Sequence, residues 1–241
     1  MRGFFGWGFL LQLIAIVHFI RRRPETFWIW IIFLGGPIGA TAYILIEMIP
    51  DLGLLSHSMK GFSRRKRIRD LESLVLVNPS PGNYEELGDL LLEEKRYKRA
   101  RECFDLAINV RTDTIDPFYR RGISAFELGD AAAALPDFER VVKESPKYDY
   151  SRARLYYARA LASTGRADDA TPVFESLVEG TTEAVCHAAE FFAARGRKEE
   201  AKELVEHIAL RKRTMPAYQR RRERPWLRRA SALRRRLPLT N

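Results

Sequence analysis

A small residue recurs at nearly fixed intervals through the middle of this 241-residue chain: Gly88, Gly122, Ala158 and Ala189 stand 34, 36 and 31 residues apart. Other residue types recur with it. Tyr84, Leu87, Leu91, Tyr97, Ala100, Phe104 and Ala107 surround the first, and Phe118, Ala125, Gly129, Ala134, Phe138 and Pro146 the second. Tyr157, Leu161, Gly165, Ala170, Phe174 and Leu177 accompany the third, and Ala188, Phe192, Gly196, Ala201, Val205 and Ile208 a more degenerate fourth. A period in this range means stacked units, none of which can bury its apolar face alone, so the chain is constrained to a solenoid. Within each unit the spacing predicts an antiparallel helix pair. The small residue on the first helix, and Ala100, Ala134, Ala170 or Ala201 on the second, let the two approach, while Phe104, Phe138 and Phe174 fill the space between units.

This pattern resembles the tetratricopeptide repeat family. The resemblance implies an array over residues 81–210 whose concave face is lined by the first helix of each pair. Position by position, that assigns Glu85, Asp89, Leu92 and Glu93 to the groove from the first repeat, and Tyr119, Ile123, Phe126 and Glu127 from the second. The third offers Leu155 and Arg159, the fourth Cys186 and Glu190. The Lys and Asn constellation that clamps a peptide carboxyl terminus in chaperone-binding members is absent, which disfavours that ligand class. An acidic groove with aromatic patches favours a basic or mixed apolar peptide, so a protein is the expected partner. The competing reading is that these carboxylates form a solvated helix face.

The formal charge of +10 is misleading as an average. Residues 71–210 carry 19 basic against 26 acidic side chains, whereas residues 211–241 carry 12 basic residues against Glu223 alone. The array is therefore acidic and its flanks basic. Residues 51–80 form a basic stretch that includes Lys60, Arg64, Arg65, Lys66, Arg67 and Arg69. Within it residues 64–77 read as an amphipathic helix, followed by a Pro- and Gly-rich break at residues 78–82.

Residues 3–20 and 27–46 contain no charge. As helices they would reach roughly 27 and 30 Å, the thickness of a bilayer core, so residues 1–50 are expected to form a two-helix transmembrane hairpin. Phe4, Phe5, Trp7, Phe27, Trp28, Trp30 and Tyr43 lie toward the segment ends, as interfacial anchors do. The basic residues after the second span place both termini in the cytoplasm by the positive-inside rule, in conflict with Arg21, Arg22 and Arg23 in the connection. Gly35, Gly36, Pro37 and Gly39 predict a kink packed against the first helix. The stretch from Phe27 to Ile46, with its aromatic start, Pro-x-Gly and later Tyr43, resembles the N-terminal membrane domain of bacterial cardiolipin synthases in the phospholipase D superfamily. That resemblance implies a bacterial inner-membrane anchor. The catalytic His-x-Lys-x4-Asp motif of that family is absent, so its activity is not carried over.

In the tail, Trp226, Ala230, Leu233 and Leu237 recur at helical spacing, with Arg228, Arg229, Arg235 and Arg236 largely on other faces. Three readings stay open for this cationic helix: it lies on anionic lipid headgroups, it folds back to cap the acidic array with Trp226 over the apolar end, or it binds nucleic acid, the least favoured. Cys103 and Cys186 lie 83 positions apart, and the four histidines form no ligand-like spacing, so no metal or other cofactor is expected. No nucleophile constellation, carboxylate pair or phosphate loop appears in the needed context. The expected protein is thus all-α and non-enzymatic: a transmembrane hairpin, a solenoid of about four helix pairs and a basic C-terminal helix. It would serve as a scaffold for protein–protein interaction at the bacterial inner membrane. The runners-up are an accessory factor in phospholipid metabolism and nucleic-acid tethering through the tail.

Overall fold

The computed structural model describes residues 2–22, 25–48, 54–109 and 114–237, with side chains in 8–20, 25–48, 63–109 and 114–237. It divides into two compact units, Met1–Asp70 and Leu71–Asn241. The regular elements among the described residues are all helical. The first unit holds α1 (Arg2–Arg22), α2 (Phe27–Leu34), α3 (Gly36–Tyr43), a π-helical turn (Ile44–Met48) and most of α4 (Leu54–Val77). In the second, four helix pairs follow one another: α5 (Pro81–Glu93) with α6 (Tyr97–Asn109), α7 (Asp116–Glu127) with α8 (Ala131–Glu144), α9 (Arg152–Ser163) with α10 (Ala167–Glu175), and α11 (Thr182–Ala194) with α12 (Lys198–Thr214). Two further helices, α13 (Ala217–Arg222) and α14 (Arg224–Arg236), follow among the described residues.

The expected transmembrane hairpin is overturned. Among the described residues no helix is long and apolar enough to cross a membrane. Residues 27–46 do not form one helix: Gly36 takes a left-handed φ of 54° and Pro37 offers no amide, so the run divides into two helices of eight residues. Each reaches only about 12 Å, well short of the roughly 30 Å hydrocarbon core. Helix α1 carries Gln12 and His18 within its apolar run. Their polar groups serve the packing of this unit. Gln12 Nε2 donates to the carbonyl of Ile32 at 3.0 Å, one turn before the break, and His18 Nδ1 meets the Tyr43 hydroxyl at 2.9 Å. Pro37 packs on Gly8, where a β-carbon would come within 2.8 Å of its ring, and Ala15, Trp28, Ile32, Ala40 and Tyr43 form the buried core. The bilayer and anionic headgroups as partners fall with the hairpin. So do the placement at the bacterial inner membrane with cytoplasmic termini, and the likeness to the cardiolipin synthase anchor. The side chains of Phe4, Phe5 and Trp7, of Arg21, Arg22 and Arg23, and of Lys60 lie outside the described residues.

In the array, the recurrence of small residues has a direct contact behind it. A β-carbon on Gly88 would stand 2.8 Å from the Phe104 ring, and one on Gly122 2.8 Å from the Phe138 ring. The glycine of the first helix thus receives the phenylalanine of the second, and the two fall out of the sequence together. The uneven spacing is equally physical. Between α8 and α9 the chain passes through Asp149, Tyr150 and Ser151, all left-handed (φ 49°, 53° and 66°), which lengthens that interval to 36. Helix α10 has only 9 residues where α6, α8 and α12 have 13, 14 and 17, which shortens the next to 31. Ser80, Asp130 and Thr181 cap α5, α8 and α11 by accepting from the amides of Asn83, Ala133 and Ala184.

The turn inside each pair needs one left-handed residue. Gly129, Gly165 and Gly196 supply it with φ of 85°, 80° and 81°, but the first repeat places Lys95 there at 59°. A side chain costs about 1 kcal/mol or more in this region. Lys95→Gly is expected to raise the unfolding free energy by about 1 kcal/mol and Gly129→Ala to lower it by a similar amount. Urea unfolding checks both, and a loss on Lys95→Gly would contradict the turn geometry.

The tail closes the far end of the array. Leu227 and Ala230 of α14 are buried against Val185, Cys186, Ala189, Val205 and Ile208 of α11 and α12, with Trp226 and Leu233 packed beside them. Of the three readings of the tail, the structure places α14 as a cap on the last repeat.

Candidate functional site

The first helices of successive pairs touch one another, α5 against α7 and α7 against α9, so they form a continuous layer. Its acidic character centres on Asp89. The Asp89 carboxylate faces the Arg120 guanidinium at 3.0 Å. Burial pushes its pKa up to about 6; Arg120 opposes this, and the charges of Asp116, Glu85 and Glu93 add to it. Its Oδ1 is out of contact with solvent and has no aligned hydrogen bond among the described residues. A carboxylate held among like charges, with one cation already beside it, is a seat that a second cation would stabilise.

Beside it stands an aromatic wall. The Tyr119 hydroxyl donates to Asp149 Oδ2 at 2.8 Å, and the Tyr148 hydroxyl donates to Asp116 Oδ1. Burial, then these carboxylate bonds, hold both phenols above their ordinary pKa, so they act as fixed donors. The Tyr119 ring meets Tyr148 edge-on at 5.1 Å, and Tyr156 stacks on Phe138 at 5.4 Å. Phe126 meets Tyr156 edge-on at 5.8 Å, and the Arg159 guanidinium lies over Phe126 at 4.7 Å and over Tyr156 at 5.2 Å.

The positions assigned from the sequence divide into three groups. Glu93 and Glu127 are exposed, and Glu85, Asp89, Leu92, Ile123, Phe126 and Arg159 are half-buried, so all eight have surface to offer. Tyr119, Leu155 and Cys186 are 4%, 1% and 0% exposed and support the wall from within rather than meeting a ligand. Glu190 is already engaged. It accepts from Arg229 Nε and Nη2 at 2.9 and 2.6 Å, and His187 Nδ1 lies 3.5 Å away. Trp226 packs on His187 at 5.2 Å, and its carbonyl accepts from Cys186 Sγ at 3.8 Å. The cap α14 therefore already holds Glu190 of the fourth repeat, while Arg228, Arg235 and Arg236 stay exposed.

Asp116, Asp149, Tyr148, Tyr156 and His187 belong to the same surroundings and were not singled out by the repeat pattern. Asp149 and Tyr148 sit in a connection, which carries no period. His187 on α11 is half-buried: desolvation, then Arg159 and Arg229, lower its pKa to about 3, so it is neutral at physiological pH. Burial pushes the Cys103 and Cys186 thiols up to about 11 and about 12, which leaves them as packing groups rather than nucleophiles. Among the described residues no three His, Cys, Asp or Glu side chains are grouped to hold a metal ion.

Residues 82–114 and 119–185 match sequence models described as tetratricopeptide repeat, so the chain carries tetratricopeptide repeats. It is 30% identical over 103 residues to DnaJ homolog subfamily C member 3 of Homo sapiens, which is 43% of this chain and 20% of that protein. The Rattus norvegicus counterpart is 31% identical over the same length. The chain thus spans about a fifth of the curated relatives it matches. Among solved structures it resembles YrrB, a TPR protein with an unusual peptide-binding site, with a TM-score of 0.54 and 21% identity over 73% of this chain and 97% of that one. It also resembles MamA from Desulfovibrio magneticus RS-1, with a TM-score of 0.60 and 18% identity over 68% and 94% of the two chains. At these identities the likeness establishes the fold.

Proposed function

We propose that this tetratricopeptide protein is a non-enzymatic scaffold whose first-helix layer in repeats one to three holds a basic, aromatic-bearing segment of a partner protein. The observation that carries this reading is how the chain's own cap meets α11 at the end of the array. There the chain's own α14 presents Trp226 to His187 and Arg229 to Glu190. A partner of similar chemistry has matching seats further along: Asp89, Glu93 and Glu127 for cations, and Phe126 with Arg159 for a ring. Binding would bring a cation to Asp89, relieve the repulsion from Asp116, Glu85 and Glu93, and lower its pKa. The accessory role in phospholipid metabolism has no support once the anchor is gone.

Selection from a displayed peptide library against the full chain tests the proposal. The expected result is enrichment of Arg or Lys together with Trp, Tyr or Phe. Recovered peptides should bind at least about tenfold more weakly to the Glu93→Lys/Glu127→Lys variant, which alters two exposed positions and whose urea unfolding is compared with the parent's. Enrichment of acidic sequences, or equal affinity for the charge-reversed variant, would overturn it.

A further inference from the structure

Helix α14 docks through one face, and its other face joins α13 and the end of α12 in a second feature that the groove does not use. Lys212, Arg220, Arg221, Arg224, Arg228 and Arg235 line an open furrow of about 860 Å³. The rest of its lining is Ala217, Leu227, Ser231 and Ala232, with no carboxylate. None of the six cations has an ion-pair partner among the described residues, whereas Arg222 and Arg229 on the same two helices are paired with Glu223 and Glu190. The cationic surface continues into an adjoining recess of about 360 Å³, where Arg213 and Arg234 join Lys212 and Arg220. Like charges gathered this closely repel, a cost that a polyanion would remove.

Four features select among polyanions. Five of the six cations are arginines, whose planar forks match phosphate oxygens two at a time. Arg224 and Arg228 are one helical turn apart, about 6 Å along the axis, and Arg235 extends the same row toward the far end. Tyr218 on α13 is 74% exposed and follows Ala217 of the lining in sequence, so an open ring stands next to the furrow's edge without lining it. A phosphate-binding row flanked by an open aromatic face is the combination used for unpaired nucleotides, and an acidic peptide has no use for the ring. The furrow is also a recess between helices and not a projecting helix, which does not suit the major groove of a duplex.

We propose that this furrow binds single-stranded nucleic acid, with the arginines on its phosphates and Tyr218 stacking on a base. The site is independent of the peptide groove, so either reading stands if the other fails.

Fluorescence anisotropy with a labelled, unstructured RNA of about 20 nucleotides and the full chain tests it. Two variants each remove three positive charges: Arg224→Ala/Arg228→Ala/Arg235→Ala in the furrow, and Lys98→Ala/Lys143→Ala/Lys198→Ala on exposed array positions. The arginine variant is expected to bind at least about tenfold more weakly, with the slope of log affinity against log salt reduced by about 2, and the lysine variant to bind as the parent does. Tyr218→Ala is expected to weaken binding about fivefold or more, and Tyr218→Phe to retain it. Equal losses in the two triple variants, or no loss in either, would overturn the proposal. So would polyglutamate of equal charge competing as well as RNA, which would make the furrow a seat for acidic protein.

Discussion

Replacing Arg121 with alanine is expected to lower the unfolding free energy of the array by about 3 kcal/mol. Arg121 sits on α7 and holds two carboxylates from two other helices. Its Nε and Nη2 donate to Asp137 of α8 at 2.8 and 2.6 Å, and its Nη1 donates to Asp105 of α6 at 2.9 Å. It therefore ties the second pair together and ties it to the first. The cost comes from what remains. Asp137 is 4% exposed, and without the guanidinium a buried carboxylate loses both of its charged donors. Arg121 itself is partly exposed, with 26% of its side-chain surface open, which holds the expected effect at the lower end for a broken buried pair. The double variant Arg121→Met/Asp137→Leu removes the stranded charge and is expected to recover most of the loss. Urea unfolding of the three proteins measures both steps. A single variant within about 1 kcal/mol of the parent would mean that the Asp137 site is better solvated than its burial implies.

Phe138→Ala is expected to cost about 3–5 kcal/mol. Phe138 is fully buried, its ring fits over Gly122, and Tyr156, Tyr119 and Phe126 all pack on it. No neighbour can close the gap cheaply, because the side that faces Gly122 has no side chain to move in. Phe138→Leu keeps most of the volume and is expected to cost less than half as much. Thermal unfolding in parallel with urea unfolding checks the pair. Equal costs for the two variants would show that ring contacts, rather than volume, dominate the site.

The array was legible because its constraint is periodic. A glycine that must admit a phenylalanine ring leaves both residues in the sequence at a fixed separation, and Gly88 with Phe104 and Gly122 with Phe138 are such pairs. Even the left-handed turn recurs in register, at Lys95, Gly129, Gly165 and Gly196. What periodicity could not supply was the direction of each side chain within the layer. Leu155 and Tyr119 share the repeat position of half-buried Glu85 yet are buried in the core. Asp149 reaches the site from a connection of three left-handed residues, a conformation no propensity scale foresees. The apolar spacing of the tail marks a helix, and Arg224–Arg236 form one, but the surface that covers its apolar face is set by Val185, Ala189 and Ile208, which the tail's own sequence does not contain. The second N-terminal segment fails as a span for a local reason: the Gly and Pro cluster that predicts a kink divides it at Gly36 and Pro37, and hydropathy alone does not register that break.

A cation seated at Asp89 in the first-helix layer makes peptide binding depend on pH. Calorimetric titration of a library-derived basic peptide should be run at about pH 5 and about pH 7.5, on the parent and on Asp89→Asn. In the free protein Asp89 titrates at about 6, and a bound cation lowers that value, so the complex holds fewer protons than its components between these limits. Affinity is therefore expected to rise with pH, with a fraction of a proton released on binding near pH 6, and Asp89→Asn should abolish both effects. His187 does not contribute, because its pKa of about 3 keeps it neutral across the window. An affinity that is flat with pH, or a pH dependence that survives in Asp89→Asn, would contradict the account.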